Sequence, residues 1–244
     1  MLAIRMHKQP KPAFVAAASM LALMLAGAGS ATAQTAHPYP DRAAIEQYRL
    51  ASQAEEVALA RSAAPPAISA NAQVLVLGAQ GYETAVNGTN GFVCIVERSW
   101  GAGFKDPVFW NPHIRGPICF NPASVRSVLP TYLQRTRWVL AGDSLAQMTE
   151  KTKAAIAAGE IRPPEAGAMC YMMSKDGYLD DVGRHWHPHL MFFVPHDAAG
   201  PAGWGANVHG SPVMGGDSDI DPAEVYFVVV ANWSDGTPGP MMGM

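Results

Sequence analysis

The sequence predicts an α+β domain with a mainly antiparallel sheet. Three observations carry this. Strand-like apolar runs gather at 74–98 and again over 168–233. Helix-like stripes stand apart from them, before the first group and between the two. With 23 Gly, 20 Pro and only 15% charged residues, the chain reads as many short elements joined by tight turns, not as a long helical bundle.

Residues 34–40 are a polar, Pro-containing lead. Asp41 is the expected N-cap of a helix reaching about Arg61, with Ile45, Tyr48 and Ala51 at helical spacing and Glu46, Glu55 and Glu56 on the wet side. Ala64-Pro65-Pro66 ends it. Residues 74–77, 82–86 and 91–98 read as three strands, a β-meander punctuated by Gly78-Ala79-Gln80-Gly81 and by Asn87-Gly88-Thr89-Asn90-Gly91. Residues 100–121 read as an ordered loop, because Trp100, Phe104, Phe109, Trp110 and Phe120 need burial.

Asn121-Pro122 is a cap-then-Pro helix start. Val125, Val128, Leu129, Tyr132 and Leu133 form its apolar stripe, which Pro130 breaks or kinks. Asp143 is the expected cap of the next helix, with Leu145, Met148, Thr152, Ala155 and Ile156 inward and Gly159 just past its end. Three or so helices therefore pack on the sheet. Strands follow at 168–174, 189–195 and 225–233, with a Gly/Pro/Asp-rich loop over 196–222.

The N-terminus reads as a signal peptide over residues 1–33. Arg5, Lys8 and Lys11 precede an apolar run at 13–28, and Ala31-Thr32-Ala33 is a small-x-small cleavage site before Gln34. The expected product is a single mature α+β domain, 34–244, in the periplasm or outside the cell. Cleavage removes three basic residues and no acidic one. The mature chain keeps 14 Lys+Arg against 20 Asp+Glu, a formal charge of −6. No basic stripe survives, which argues against nucleic acid as partner. No second apolar stretch approaches the ~20 residues of a membrane span.

In an oxidising compartment the three cysteines predict one disulfide, Cys94–Cys119, with Cys170 left over. The densest cluster of chemically capable side chains is His185-Trp186-His187-Pro188-His189. On a strand, alternate imidazoles share a face about 6.7 Å apart along the chain, so two of His185, His187 and His189 can converge on one ion. The first and third lie about 13 Å apart, so a metal site needs a distant donor such as His113, His209, Asp180, Asp181 or Glu97. Zn, Cu, Ni or Fe would suit imidazole ligands. The alternative is a polar turn in which Trp186 packs inward.

Asp217, Asp219, Asp221 and Glu224 fit a calcium loop poorly, and Met241-Met242-Gly243-Met244 offers thioethers for Cu(I). Glycine-rich phosphate loops, Gly-x-Ser-x-Gly elbows and Cys-x-x-Cys pairs are absent. The reading that follows is an exported binding module without a complete catalytic set. A metal-dependent enzyme, hydrolytic in kind, and a periplasmic copper carrier are its alternatives.

Overall fold

The structure is a computed structural model that describes residues 38–196, 200–217 and 220–240. The expected signal peptide and the Met241–Met244 tail lie outside the described residues, as does Asp219.

One eight-stranded sheet organises the chain. Its strands are β1 (Gln73–Leu77), β2 (Tyr82–Val86), β3 (Val93–Glu97), β4 (Gly116–Phe120), β5 (Met169–Met172), β6 (His189–Val194), β7 (Val213–Asp217) and β8 (Glu224–Val229). Their order is β2-β1-β3-β4-β5-β6-β8-β7. Every pair is antiparallel except β1–β3. Mainly antiparallel pairing with helices packed on it is the α+β class that the patterning predicts.

The expected meander over 74–98 is corrected by that one parallel pair. β2 returns antiparallel beside β1, with Leu77 opposite Tyr82 and Val74 opposite Val86. The chain then crosses the start of β1, where Thr89 N–H donates to Asn71 O at 2.8 Å. A Cβ on Gly88 would lie 2.1 Å from Gln73 N, so only glycine permits the crossing. β3 therefore begins level with β1, Gln73 opposite Val93, on its other side. The loop 87–92 serves as a crossover, not as a hairpin turn.

Two further strands lie where loops are expected. Gly116–Phe120 is β4, fully buried in mid-sheet, so the Gly/Pro content of 100–121 hides a central strand. Pro117 is tolerated there although proline normally avoids central strands. Val213–Asp217 is β7, an edge strand with Gly215 and Gly216 at its centre. Gly215 lets the Tyr226 ring of β8 approach, since a Cβ there would meet its Cε1 at 2.8 Å.

The expected helix over 41–61 is two elements. Ile45–Tyr48 is a single 3-10 turn, and α1 (Gln53–Arg61) begins after Ser52, whose hydroxyl accepts Glu55 N–H. The break occurs because Tyr48 is pulled into the core, where its hydroxyl donates to Trp110 O at 2.9 Å. Arg49 leaves in extended backbone and donates to the Leu77 and Gly78 carbonyls. A short helix α2 (Pro66–Ser69) follows.

Asn121 caps α3 (Pro122–Ser127), and Pro130 stands in the first turn of α4 (Leu129–Ala141), so it starts a helix where a break is expected. α5 (Leu145–Ala157) is capped by Ser144, not Asp143, in a capping box with Gln147. Asp143 pairs with Lys151 instead. A last short turn, α6, covers Gly200–Gly203.

Strand alternation decides what each face meets. On β3, Cys94 and Val96 join Cys119, Val74, Val76 and the alanines Ala60, Ala63 and Ala64 at and after the end of α1. Val93 and Ile95 join Ile118 and Phe120, Cys170 and Met172, and Met191 and Phe193 on the other face, against Val128 and Leu129. By the same period of two, Glu97, Gly116 and His189 fall in phase with this second face. Trp100, Phe104, Phe109 and Trp110 pack with Trp138, Val139 and Met148 of α4 and α5, so the aromatic loop is buried as expected.

Candidate functional site

A cavity of about 500 Å³ lies against the second face of the sheet. Its floor is Glu97, Met172, His189, Met191, Phe193, Val225 and Phe227 from four strands, β3, β5, β6 and β8. Val128, between α3 and α4, and Tyr132 and Arg135 of α4 cover it, with Ser99–Gly103 and 221–223 at the sides. Apolar and aromatic side chains give most of the wall, and Asp106, Arg162 and Asp180 line it as well.

Glu97 is the central polar group. It ends a strand whose four preceding residues are fully buried, and it is paired in register with Gly116. Space for its side chain comes from two glycines. A Cβ on Gly116 would stand 2.7 Å from Glu97 Cγ, and one on Gly101 would stand 2.7 Å from Oε2. The carboxyl makes no hydrogen bond or ion pair among the described residues. Glu97 is half-buried and lines the cavity. Burial alone pushes its carboxyl up to about 8, since no opposite charge offsets the loss of water.

The neighbouring cations are engaged elsewhere. Arg98 turns to the opposite face and pairs with buried Glu56 at 2.9 Å, while its Nε donates to Tyr48 O. Arg135 pairs with Asp221 at 2.7 Å, donates to Ala102 O, and lies 4.4 Å over the Phe104 ring. In the wall behind the cavity, Ser99 Oγ and Arg135 Nε are buried with no hydrogen-bond partner among the described residues. Tyr132 meets Glu97 over Gly101, from whose Cβ position its ring carbon Cε1 is 3.2 Å away. Burial raises the Tyr132 phenol well above its ordinary value, and the nearby Glu97 adds to the shift.

The three histidines adjacent in sequence lead to three separate places. His185 is exposed, its ring 5.2 Å from Trp233 in an edge contact. His187 Nδ1 lies 3.1 Å from Pro240 O. His189 is buried between Trp186 and Phe227, with ring centroids 4.7 and 5.8 Å away. Its Nδ1 is 2.7 Å from the His187 carbonyl, which can only accept, so Nδ1 holds the proton and Nε2 keeps the lone pair. Burial holds its imidazole down to about 4, so it is neutral at pH 7. Trp186 packs inward beside it, as the turn reading of the cluster expects.

The other expected donors disperse too. His113 faces Asp181 at 3.8 Å, and Asp181 accepts from Tyr39, Asn111 and Tyr178. Asp180 Oδ1 accepts the N–H groups of Val182 and Gly183. His209 lies on an exposed turn. Among the described residues, no three His, Cys, Asp or Glu side chains come together as a group able to hold a metal ion. Asp221 and Glu224 engage Arg135 and Tyr226.

Cys94 and Cys119 stand opposite each other in register on β3 and β4, and their sulfurs lie 2.02 Å apart. Cys170 is free and buried, and burial pushes its thiol well up. Among the described residues no helix is long and apolar enough to cross a membrane.

Sequence reasoning names Glu97 and His189 only as metal donors and places Tyr132 in an apolar stripe. It passes over Arg135 and weighs Asp221 only within the poorly fitting calcium loop. The signal for Glu97 was present in the chain: a lone acid in phase with Val93 and Ile95 at the end of a buried strand. Comparison with protein-family models, with curated proteins and with solved structures finds no match to this chain.

Proposed function

We propose that this protein is an exported binding module that holds a small, largely apolar molecule in the cavity between the sheet and α4. The observation that carries the reading is the cavity itself. Its volume of about 500 Å³ falls within the range of small-molecule sites, and its wall is apolar with few polar groups. A paired Cys94 and Cys119 accords with an oxidising compartment, and the basic start, apolar run and Ala-x-Ala site accord with export.

The test of binding is a fluorescence titration with the apolar probe N-phenyl-1-naphthylamine. Saturable binding is expected, and Ala223→Trp, which projects an indole into the cavity wall, weakens it at least tenfold while near-UV circular dichroism shows the fold retained. Equal binding by both proteins refutes the reading. The test of export is N-terminal sequencing of the exported product, which is expected to start near Gln34. An exported product that retains residues 1–33 rules out cleavage there.

A further inference from the structure

We propose that the cavity selects apolar molecules carrying a neutral hydrogen-bond acceptor, a carbonyl oxygen above all, which the Glu97 carboxyl and the Tyr132 hydroxyl receive together. The inference rests on the cavity reading above and names the ligand's polar end.

The argument begins with position. Glu97 and Tyr132 come from β3 and α4 and meet over Gly101, where neither side chain has a hydrogen-bond partner among the described residues. Both line the cavity. An unsatisfied polar group in an apolar wall costs free energy until something pairs with it. A ligand that supplies the partner recovers that cost, and one that lacks it does not.

Charge then decides which partner. Arg98 turns away from the cavity to Glu56, Arg135 pairs with Asp221, and Arg162 donates to the Gly159 carbonyl. No cation reaches Glu97, so its carboxyl keeps its proton through neutral pH and acts as an O–H donor. The Tyr132 phenol keeps its proton as well. Two O–H donors on one stretch of cavity wall suit one acceptor oxygen with two lone pairs. Behind them, the unpartnered Arg135 Nε can only donate, so this part of the wall holds a surplus of donors. An ammonium group would need Glu97 ionised, against the burial that holds its proton on. A carboxylate would lose its water beside Glu97 with no cation there to pair with it.

A matched series of naphthalenes separates these chemistries. 2-Ethylnaphthalene, 2-acetylnaphthalene and 1-(2-naphthyl)ethylammonium have the same ring and nearly the same size. Calorimetric titration of the mature protein at pH 7 is expected to give about tenfold tighter binding of the acetyl compound than of the ethyl compound, the ratio for one satisfied buried hydrogen bond. Glu97→Gln keeps a donor and keeps the preference within about threefold, whereas Glu97→Leu abolishes it while 2-ethylnaphthalene still binds.

Tightest binding of the ammonium compound, lost in Glu97→Gln, overturns the proposal in favour of a cationic ligand. Equal binding of acetyl and ethyl compounds overturns it and leaves the cavity reading intact. Binding of none of the three overturns both. If Glu97→Leu fails to fold, the wild-type series and Glu97→Gln still decide.

Discussion

The two faces of the β3–β4 ladder are built to opposite ends. On one face Cys94 and Cys119 join the strands, and Ala60, Ala63 and Ala64 let α1 and the turn after it close tightly over them. On the other face, three residues along, Glu97 faces Gly116, and the missing Cβ atoms of Gly116 and Gly101 leave room for a carboxyl beside a cavity. Small residues therefore do different work on each side. Alanine against a disulfide draws backbone together, and glycine against an acid holds space open. Dense packing on the α1 face fixes the strands whose ends form the cavity wall.

The largest expected effect comes from unlocking the closed face. The Cys94–Cys119 pair spans 25 residues, and a cross-link of that loop length contributes about 3 kcal/mol. The double change Cys94→Ser and Cys119→Ser is expected to lower stability by that amount in urea unfolding. Thiol counting on the unreduced, unfolded wild-type protein is expected to find one thiol, at Cys170. Three thiols, or an unchanged unfolding midpoint in the double variant, would break the contrast between the faces.

The next effect comes from the open face and depends on pH. Glu97 keeps its proton in the folded protein to about 8, whereas the unfolded chain releases it near 4.5. Between these values the unfolded state binds fewer protons, so stability falls as pH rises and levels off above about 8. Glu97→Gln removes that slope. Relative to wild type, the variant is expected to gain stability steadily from pH 5 to 8 and no further, by a few kcal/mol at most. His189 acts in the opposite sense at lower pH. Its folded imidazole resists protonation down to about 4, against an ordinary 6.5, so its contribution is lost as pH falls through that window. Comparing wild type with Glu97→Gln cancels this term. A difference that does not vary with pH would show that Glu97 is ionised in the folded state.

Much of the fold is legible in the chain, and the reasons for the exceptions are physical. β1, β3, β6 and β8 carry apolar and β-branched runs, and the structure places strands there. β4 is hidden because Gly116 and Pro117 resemble a turn when their partners are unknown. β7 is hidden because Gly215 makes room for Tyr226, a requirement that exists only after the sheet forms. The parallel β1–β3 pair follows from a close backbone crossing at Gly88, which periodicity does not record. The candidate site is less legible for a related reason. The histidine cluster is dense in sequence and dispersed in space. Glu97, Tyr132 and His189 are distant in sequence and converge because strand phase and α4 bring them to one face.

The smallest expected effect belongs to His187 and sharpens the same contrast between built and open surface. Its Nδ1 makes a single contact with Pro240 O near the protein surface, and no third donor joins it among the described residues. A partly solvated hydrogen bond contributes about 1 kcal/mol or less. His187→Ala is therefore expected to lower stability by no more than that. His189→Ala, which removes a buried ring packed between Trp186 and Phe227, is expected to cost about 2–4 kcal/mol and to weaken apolar-probe binding. Urea unfolding of both variants, with metal analysis of each purified protein, checks the ranking. An effect of His187→Ala as large as that of His189→Ala, accompanied by loss of stoichiometric metal, would restore the cluster as a unit and move the functional centre from the cavity to the histidines.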